Sequence, residues 1–205
     1  MRRLISKLNL HRVNNLLFTL IVCINLYIIA APLVPQITYW WNTHHSQRQI
    51  QLEKAIKTLP ITNNQSGAIS GPNRLIIPTM MLDQAALEGP VSNWFNILYK
   101  GIWRWPNSST PDKGGNTVFL SHRFSYTGPR GAFYYLNKLQ VGDTIGLVWN
   151  GKLYKYSVVS SQTVPPTDTT IEDNTSDAQI TLFTCTPLWH PVNRLVVVAK
   201  LESIT

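Results

Sequence analysis

Hydrophobic residues follow two different patterns along this chain of 205 residues. Residues 16–34 form one run of nineteen residues without a charge, close to the roughly 20 that a helix needs to cross a bilayer. From residue 75 onward the apolar residues instead fall in short runs separated by turn-forming residues, a pattern typical of β-strands. We therefore expect one apolar N-terminal helix followed by a β-rich domain.

The residues that flank the apolar run predict its orientation. Four cations precede it: Arg2, Arg3, Lys7 and Arg12. Three aromatic residues follow it, where an interfacial belt would lie: Tyr39, Trp40 and Trp41. Because cations gather on the cytoplasmic side of a span, we expect a cytoplasmic basic head at residues 1–12, a transmembrane anchor at 13–35 in the plasma membrane, and an extracellular remainder.

A cleaved signal peptide is the alternative interpretation of this segment. Ala30 and Ala31 are small, as a cleavage site requires, but Ile28 and Ile29 do not suit the small-residue pattern, and Pro32 follows directly. A retained single-pass anchor is therefore favoured.

The remainder divides into a stalk and a folded domain. We expect the extracytoplasmic stalk or linker at residues 36–73, with a short helix within 42–59 and a flexible segment, rich in turn-forming residues, at 60–73. The folded domain should then occupy residues 74–205.

Six segments of this domain carry strand patterns: Leu75–Met81, Thr117–Ser121, Thr144–Trp149, Lys152–Ser160, Gln179–Phe183 and Leu195–Leu201. Asn150-Gly151 predicts a tight hairpin turn between two of them. Leu136 to Val141, before Gly142-Asp143, suggests a short helix. No strand–helix alternation suitable for a doubly wound sheet is present, so a mostly β, closed or nearly closed barrel is predicted.

Charge narrows the possible partners. The formal net charge is +8, but the basic head supplies four of the eighteen cations and no carboxylate precedes Glu53, so the rest of the chain carries only +4. No Lys/Arg cluster or basic helix stripe follows, which argues against nucleic-acid binding.

Cys185 is the chemically unusual residue of the exported part. The only other cysteine, Cys23, lies within the apolar run, so no partner for a structural disulfide is available there. Cys185 ends one strand pattern and Arg194 begins the next, nine residues later. In such a hairpin a nucleophile and a fixed cation could face one pocket.

Three motifs together resemble one family. Thr181-Leu-Phe-Thr-Cys185 resembles the Thr-Leu-x-Thr-Cys signature of sortases, the membrane-anchored cysteine transpeptidases of bacterial surfaces. Gly114–Arg123 resembles the sortase strand that ends in the catalytic histidine, and Asn193-Arg194 matches the family's arginine. The resemblance covers roughly residues 74–201 and includes two further segments: Arg74–Pro78 and Phe133–Asp143.

The resemblance implies a closed barrel of about eight strands with short helices, and Cys185, His122 and Arg194 as catalytic residues. A free thiol with a pKa near 8.5 is only a few per cent thiolate at neutral pH, so His122 would accept its proton or pair with the thiolate. Arg194 stays protonated and would orient the substrate carbonyl or stabilise an oxyanion. Each residue also has a non-catalytic interpretation: Cys185 as a packed core cysteine, His122 as a surface histidine at a strand end, and Arg194 as a solvated cation at a strand start.

The reaction that the resemblance implies is acyl transfer. Cys185 would cleave a Thr–Gly type bond in the C-terminal sorting signal of a surface protein and form a thioester. An amine from a peptidoglycan precursor or another protein would resolve the thioester, and water would do so slowly. Two alternatives are a catalytically idle anchored barrel that binds peptides or cell-wall material, and a cysteine peptidase that only hydrolyses.

Residues near the three candidate catalytic residues relate to substrate binding and to the sortase class. Thr184 and Trp189 are candidate substrate-binding residues, and His190 is a rival base in a loop that is expected to be exposed. Ser121 stands where many sortases have glycine, and Leu188-Trp189 replaces a Tyr-Gly pair common there. The class therefore stays open, although no second apolar span follows the domain, which argues against a typical pilus-assembling sortase.

No cofactor is expected, because no His, Asp or Glu spacing matches a zinc site. A calcium site is conceivable in one acidic loop, although acidic loops are usually just solvated; its carboxylates are Asp168, Glu172, Asp173 and Asp177.

Overall fold

The computed structural model describes residues 10–31, 33–45, 47–58, 71–124 and 131–205. Within them the chain forms two compact units, one ending at Ser46 and one running from Gln47 to Thr205.

The first unit consists of helices α1 (Leu10–Ala30) and α2 (Val34–His45). Among the described residues one helix is long and apolar enough to cross a membrane, His11–Ala30, with a mean hydropathy of 2.0. This helix overlaps residues 16–30 of the apolar run and ends at Ala30, before the end of the anchor predicted at 13–35. The expected aromatic belt lies on α2, where Trp40 and Trp41 are exposed.

The second unit is a closed eight-stranded barrel with strand order β1-β2-β3-β4-β7-β8-β6-β5. Its strands are β1 (Arg74–Ile77), β2 (Leu82–Leu87), β3 (Ile102–Arg104), β4 (Asn116–Leu120), β5 (Thr144–Trp149), β6 (Lys152–Val164), β7 (Gln179–Thr186) and β8 (Asn193–Ile204). Two helices accompany them: α3 (Gln47–Thr58) and α4 (Trp94–Lys100). The mostly β, closed-barrel fold predicted from the sequence is confirmed.

The hairpin between β5 and β6 forms where the sequence predicts it. Trp149 pairs with Lys152, and the two residues between them both have positive φ, 49° at Asn150 and 76° at Gly151. This is the geometry that Asn-Gly supplies in a two-residue turn whose twist matches the strands.

Alternation along β7 separates the barrel interior from its outer face. Ile180 and Leu182 point into the main core, whereas Phe183 belongs to a second cluster outside it. This outer apolar cluster consists of Val118, Val164, Ile171, Phe183 and Val196. Ile171 comes from the β6–β7 connection, so that connection packs on the outer face beside the end of β7.

Helix α3 belongs to the barrel unit. Leu52 and Ile56 are buried against Ile76, Val148 and Leu153, on strands β1, β5 and β6. The compact unit therefore begins at residue 47, whereas the sequence analysis starts the folded domain at residue 74. A polar helix of twelve residues with few apolar positions does not reveal from sequence alone what it packs against.

Candidate active site

Cys185 lies near the end of β7 with an exposed, free thiol. It points to the same outer face as Phe183, because side chains of a strand alternate. Its neighbour Thr184 points into the barrel and is only 2% exposed. The thiol of Cys185 is therefore exposed to solvent, whereas the side chain of Thr184, the residue before it, is buried.

Arg194 is the direct cross-strand neighbour of Cys185 in the antiparallel β7–β8 pair. Directly opposed residues carry their side chains on one face, with Cβ atoms about 4.5–5.5 Å apart. The Arg194 guanidinium lies over the Phe183 ring, with its Cζ 5.2 Å from the ring centroid. Its Nη1 is 3.4 Å from Oε1 of Glu172. The register therefore places the thiol and the cation on one face of the barrel, and a pocket shared by both stays a prediction.

His122 follows β4, the strand that pairs in parallel with β7. The last pair of this register joins Leu120 to Phe183, and His122 and Cys185 each lie two residues beyond that pair along the chain. The side chain is half-buried, and burial lowers the pKa of His122 below its ordinary value. Its carbonyl oxygen accepts a 3.3 Å hydrogen bond from the amide of Phe133.

Two hydrogen bonds join the ends of β4 and β7. The Thr184 hydroxyl donates to the Ser121 carbonyl oxygen over 2.8 Å, a buried contact. Arg123 Nη1 donates to the Thr186 hydroxyl, also over 2.8 Å. Each bond links a residue adjacent to His122 with a residue adjacent to Cys185. The hydroxyl of Ser121 donates to the carbonyl of Gly101 over 2.9 Å, so this serine has a structural role.

An aromatic pair stands beside these two strand ends. Phe124, two residues after His122, packs against Trp189, with ring centroids 4.6 Å apart and ring planes at 63°. The Trp189 side chain is otherwise largely exposed. The rival base His190 follows it and is exposed, as expected.

The carboxylates of the β6–β7 connection have separate partners. Glu172 faces Arg194, Asp177 pairs with Lys200 at 2.9 Å, and Asp168 accepts a 3.1 Å hydrogen bond from the amide of Thr170. Within the described ranges no group of three His, Cys, Asp or Glu residues could hold a metal ion. Burial raises the pKa of Glu172, and the Arg194 charge offsets this only in part.

Asn116 is a structural residue that the sequence analysis missed. Its side chain is 2% exposed and accepts a 2.7 Å hydrogen bond from the Thr181 hydroxyl. Its amide group donates to the carbonyl oxygens of Ile171 and Asp173, over 3.1 and 2.9 Å. The available signal was a polar residue directly before the strand pattern that begins at Thr117, but such a residue does not identify partners more than fifty residues further along the chain.

Comparison with known proteins finds relatives of one family. The sortase domain family model matches residues 75–202. Sortase A of Listeria monocytogenes is 40% identical over 66 residues, which is 32% of this chain and only 30% of that relative.

Two solved structures resemble the barrel. That of Listeria monocytogenes sortase A has a TM-score of 0.54 and 26% identity, covering 64% of this chain and 87% of the other. Sortase E1 from Streptomyces coelicolor, solved with a tripeptide in its active site, has a TM-score of 0.57 and 25% identity, covering 66% of this chain and 90% of the other. Since the family model spans more than half of the chain and includes all of β4, β7 and the start of β8, the chain belongs to the sortase family.

Proposed function

We propose that this protein is a cysteine transpeptidase that attaches proteins to the cell surface through a thioester at Cys185. Sortases as a family are cysteine transpeptidases that attach proteins to the cell wall. The observation that carries the proposal for this chain is the direct pairing of Cys185 with Arg194 across β7 and β8. An exposed nucleophile with a permanent cation on the same face suits attack on a carbonyl whose oxygen becomes negative.

In the first step the Cys185 sulfur bonds to the carbonyl carbon of a peptide bond and the thiol proton passes to His122. Burial lowers the pKa of His122, which keeps the imidazole in the neutral form that can accept a proton but also makes it a weaker base. The C–N bond then breaks, and the imidazolium returns the proton to the departing amine. A second amine attacks the thioester, forms a new amide and restores the thiol.

Arg194 supplies the electrostatic part of this chemistry. Guanidinium cannot act as a base in a protein, so its role is to donate hydrogen bonds to the oxygen that gains charge. Removal of one such donor typically slows acyl transfer about 100- to 1000-fold. Arg194 is half-buried over Phe183, which reduces its screening by water.

The substrate class is a peptide, in the form of a C-terminal sorting signal of a surface protein. The tripeptide in the active site of the Streptomyces coelicolor relative supports this class. We assign one side of the peptide groove to Trp189, which Phe124 holds in place. The buried Thr184 aligns the strand ends, and a direct substrate contact of its hydroxyl stays a prediction.

The same proposal includes the amine that accepts the acyl group and the cellular location of the protein. An amine of a peptidoglycan precursor or of another protein resolves the thioester. The basic head at residues 1–12, which overlaps the start of α1, supports a cytoplasmic N-terminus and an extracellular barrel held at the plasma membrane by that helix. We propose that no cofactor takes part, so chelation of calcium with EGTA should leave the acylation rate unchanged.

The test uses the full-length chain in detergent micelles. It is incubated with a library of sorting-signal peptides, with and without oligoglycine, and intact mass reports the thioester and its products. We expect a thioester on the wild type, none on Cys185→Ala, and amide formation when oligoglycine is present.

Two outcomes would replace the proposal with its alternatives. A thiol that reacts with iodoacetamide but forms no adduct with any peptide would indicate an idle binding barrel. A thioester that yields only the free acid, even at high amine concentration, would indicate a peptidase.

A further inference from the structure

Glu172 is the described carboxylate that faces the Arg194 guanidinium. Its Oε1 lies 3.4 Å from Nη1 of Arg194, and the two side chains are 19% and 26% exposed. Glu172 ends a short 3-10 turn (Thr170–Glu172) in the β6–β7 connection. Its contact with Arg194 reaches across the outer face of the barrel to the residue opposite Cys185.

The backbone on both sides of Glu172 is fixed by one buried side chain. The Asn116 amide group donates to the carbonyl oxygens of Ile171 and Asp173, the residues immediately before and after Glu172. The Asn116 amide oxygen accepts from Thr181 on β7, so every polar atom of this side chain is used. Ile171 is itself buried in the outer apolar cluster. The connection therefore holds Glu172 in a defined place.

A second contact is needed to fix the orientation of the Arg194 guanidinium. A free Arg side chain has about 2 kcal/mol of rotamer entropy, and the Phe183 ring beneath Arg194 restrains the height of the guanidinium but not its rotation. An acceptor at Nη1 fixes that rotation. The guanidinium has five N–H donors in a planar fork, so the Nε and Nη2 edge stays available when Nη1 faces Glu172.

We propose that Glu172 is a positioning residue that fixes the direction of the Arg194 guanidinium, so that its remaining N–H donors face the acyl carbonyl bound to Cys185. This inference rests on the proposed transpeptidase function. It gives Glu172 an indirect role, since the carboxylate acts only through Arg194 and does not touch the reacting atoms.

Stability alone does not account for this carboxylate. Burial raises the pKa of Glu172, and the nearby Asp173 charge adds to that rise, while Arg194 opposes it. Because the folded state disfavours the ionised form overall, the charge reduces stability at neutral pH. A neutral glutamine of similar shape fits the same connection, so Glu172→Gln isolates the effect of the charge on Arg194.

The test compares Glu172→Gln with Asp173→Asn, which removes a charge one residue further along at an exposed position. Single-turnover thioester formation should slow about tenfold or more in Glu172→Gln, since misplacing a catalytic group by about 1 Å costs up to 100-fold. It should stay within twofold of wild type in Asp173→Asn. Iodoacetamide alkylation of Cys185 should be unchanged in both, because it needs no oxyanion donor.

A double-mutant cycle separates positioning from a structural effect. In an Arg194→Ala background, Glu172→Gln should cause no further slowing, whereas a general disturbance of the β6–β7 connection would slow both backgrounds equally. Equal slowing, or a Glu172→Gln variant as fast as wild type or faster, would overturn the inference. Failure of the proposed function looks different: the wild type would form no thioester, or Arg194→Ala would acylate normally.

A second measurement needs no peptide. The Nε–Hε signal of Arg194, assigned by its loss in Arg194→Ala, should report a rigid side chain in the wild type and in Asp173→Asn by ¹⁵N relaxation. We expect its order parameter to fall in Glu172→Gln. An unchanged order parameter would overturn the inference whatever the activity of the chain.

Discussion

The Thr184 hydroxyl and the Ser121 carbonyl oxygen, 63 residues apart in sequence, form a buried 2.8 Å hydrogen bond between the end of β7 and the residue that follows β4. Thr184 directly precedes Cys185, and Ser121 directly precedes His122. The bond therefore sets how these two chain segments lie beside each other.

Thr184→Val should remove this link at nearly constant volume. It leaves the buried Ser121 carbonyl without its hydroxyl donor, so we expect a loss of about 1–3 kcal/mol in the free energy of unfolding and slower thioester formation. Thr184→Ser keeps the hydroxyl and is the matched control. Urea unfolding and single-turnover acylation measure the two effects, and equal behaviour of Val and Ser would contradict the role of the bond.

The pH dependence of acylation should reflect the buried imidazole. Since burial lowers the pKa of His122, the neutral base persists to lower pH than an exposed histidine with a pKa of about 6.5 would allow. We expect the acid limb of the acylation rate to lie below pH 6.5. The unfolded chain binds this proton more readily, so the free energy of unfolding should also fall as pH drops through this range. An NMR titration of the His122 ring, assigned with His122→Gln, checks the direction.

Gly131→Ala should disable the site more than it destabilises the fold. A Cβ at residue 131 would overlap the carbonyl carbon and oxygen of His122 and lie 3.0 Å from the amide nitrogen of Arg123. Because the overlapping atoms belong to the backbone, rotation of a side chain cannot relieve the clash, and the backbone of His122 must move. Shifts of about 1 Å can cost 100-fold in rate.

Gly142→Ala provides the contrasting variant for that experiment. Gly142 has a φ of 92° and nothing within 4 Å of an added Cβ. Its replacement by alanine therefore introduces backbone strain of about 1–3 kcal/mol without a steric clash. We expect Gly142→Ala to lower stability and retain acylation. A Gly131→Ala variant that acylates at the wild-type rate would contradict the close approach.

Ile56→Ala should weaken the docking of α3 on the barrel. Ile56 is 6% exposed and packs with Ile76, Val148 and Leu153, so truncation should cost about 2 kcal/mol. Ile50→Ala on the same helix is the control, because Ile50 is 47% exposed and should change stability by less than about 0.5 kcal/mol. Chemical denaturation followed by near-UV circular dichroism measures both, and equal small effects would contradict the docked position.

The elements that line the site were predictable because each carries a strong local pattern. The strand patterns at Thr117–Ser121 and Gln179–Phe183 fall on β4 and β7, and Asn150-Gly151 turns as expected. By contrast β2 and β3 were missed. The β2 sequence Leu-Asp-Gln-Ala-Ala-Leu has no β-branched residue, and β3 has only three residues. Their strand conformation depends on pairing with neighbours that are distant in sequence.

The contact of Glu172 with Arg194 also could not be predicted from the sequence. In sequence it is one acidic residue of a loop, equally suited to solvent, a calcium ion or an ion pair. The structure pairs it with Arg194, because Asn116 and the outer apolar cluster hold the β6–β7 connection against the end of β7.

Short-range periodicity was enough to predict the apolar span and the β-rich class, and covalent chemistry was enough to single out Cys185, His122 and Arg194 as candidates. Which groups meet depends on the tertiary fold. The ends of β4 and β7 meet through Ser121 and Thr184, the residues before His122 and Cys185, and the packed β6–β7 connection places Glu172 beside Arg194. Such contacts depend on closing long loops around a shared core, and their free energy comes from burial of residues far apart in the chain.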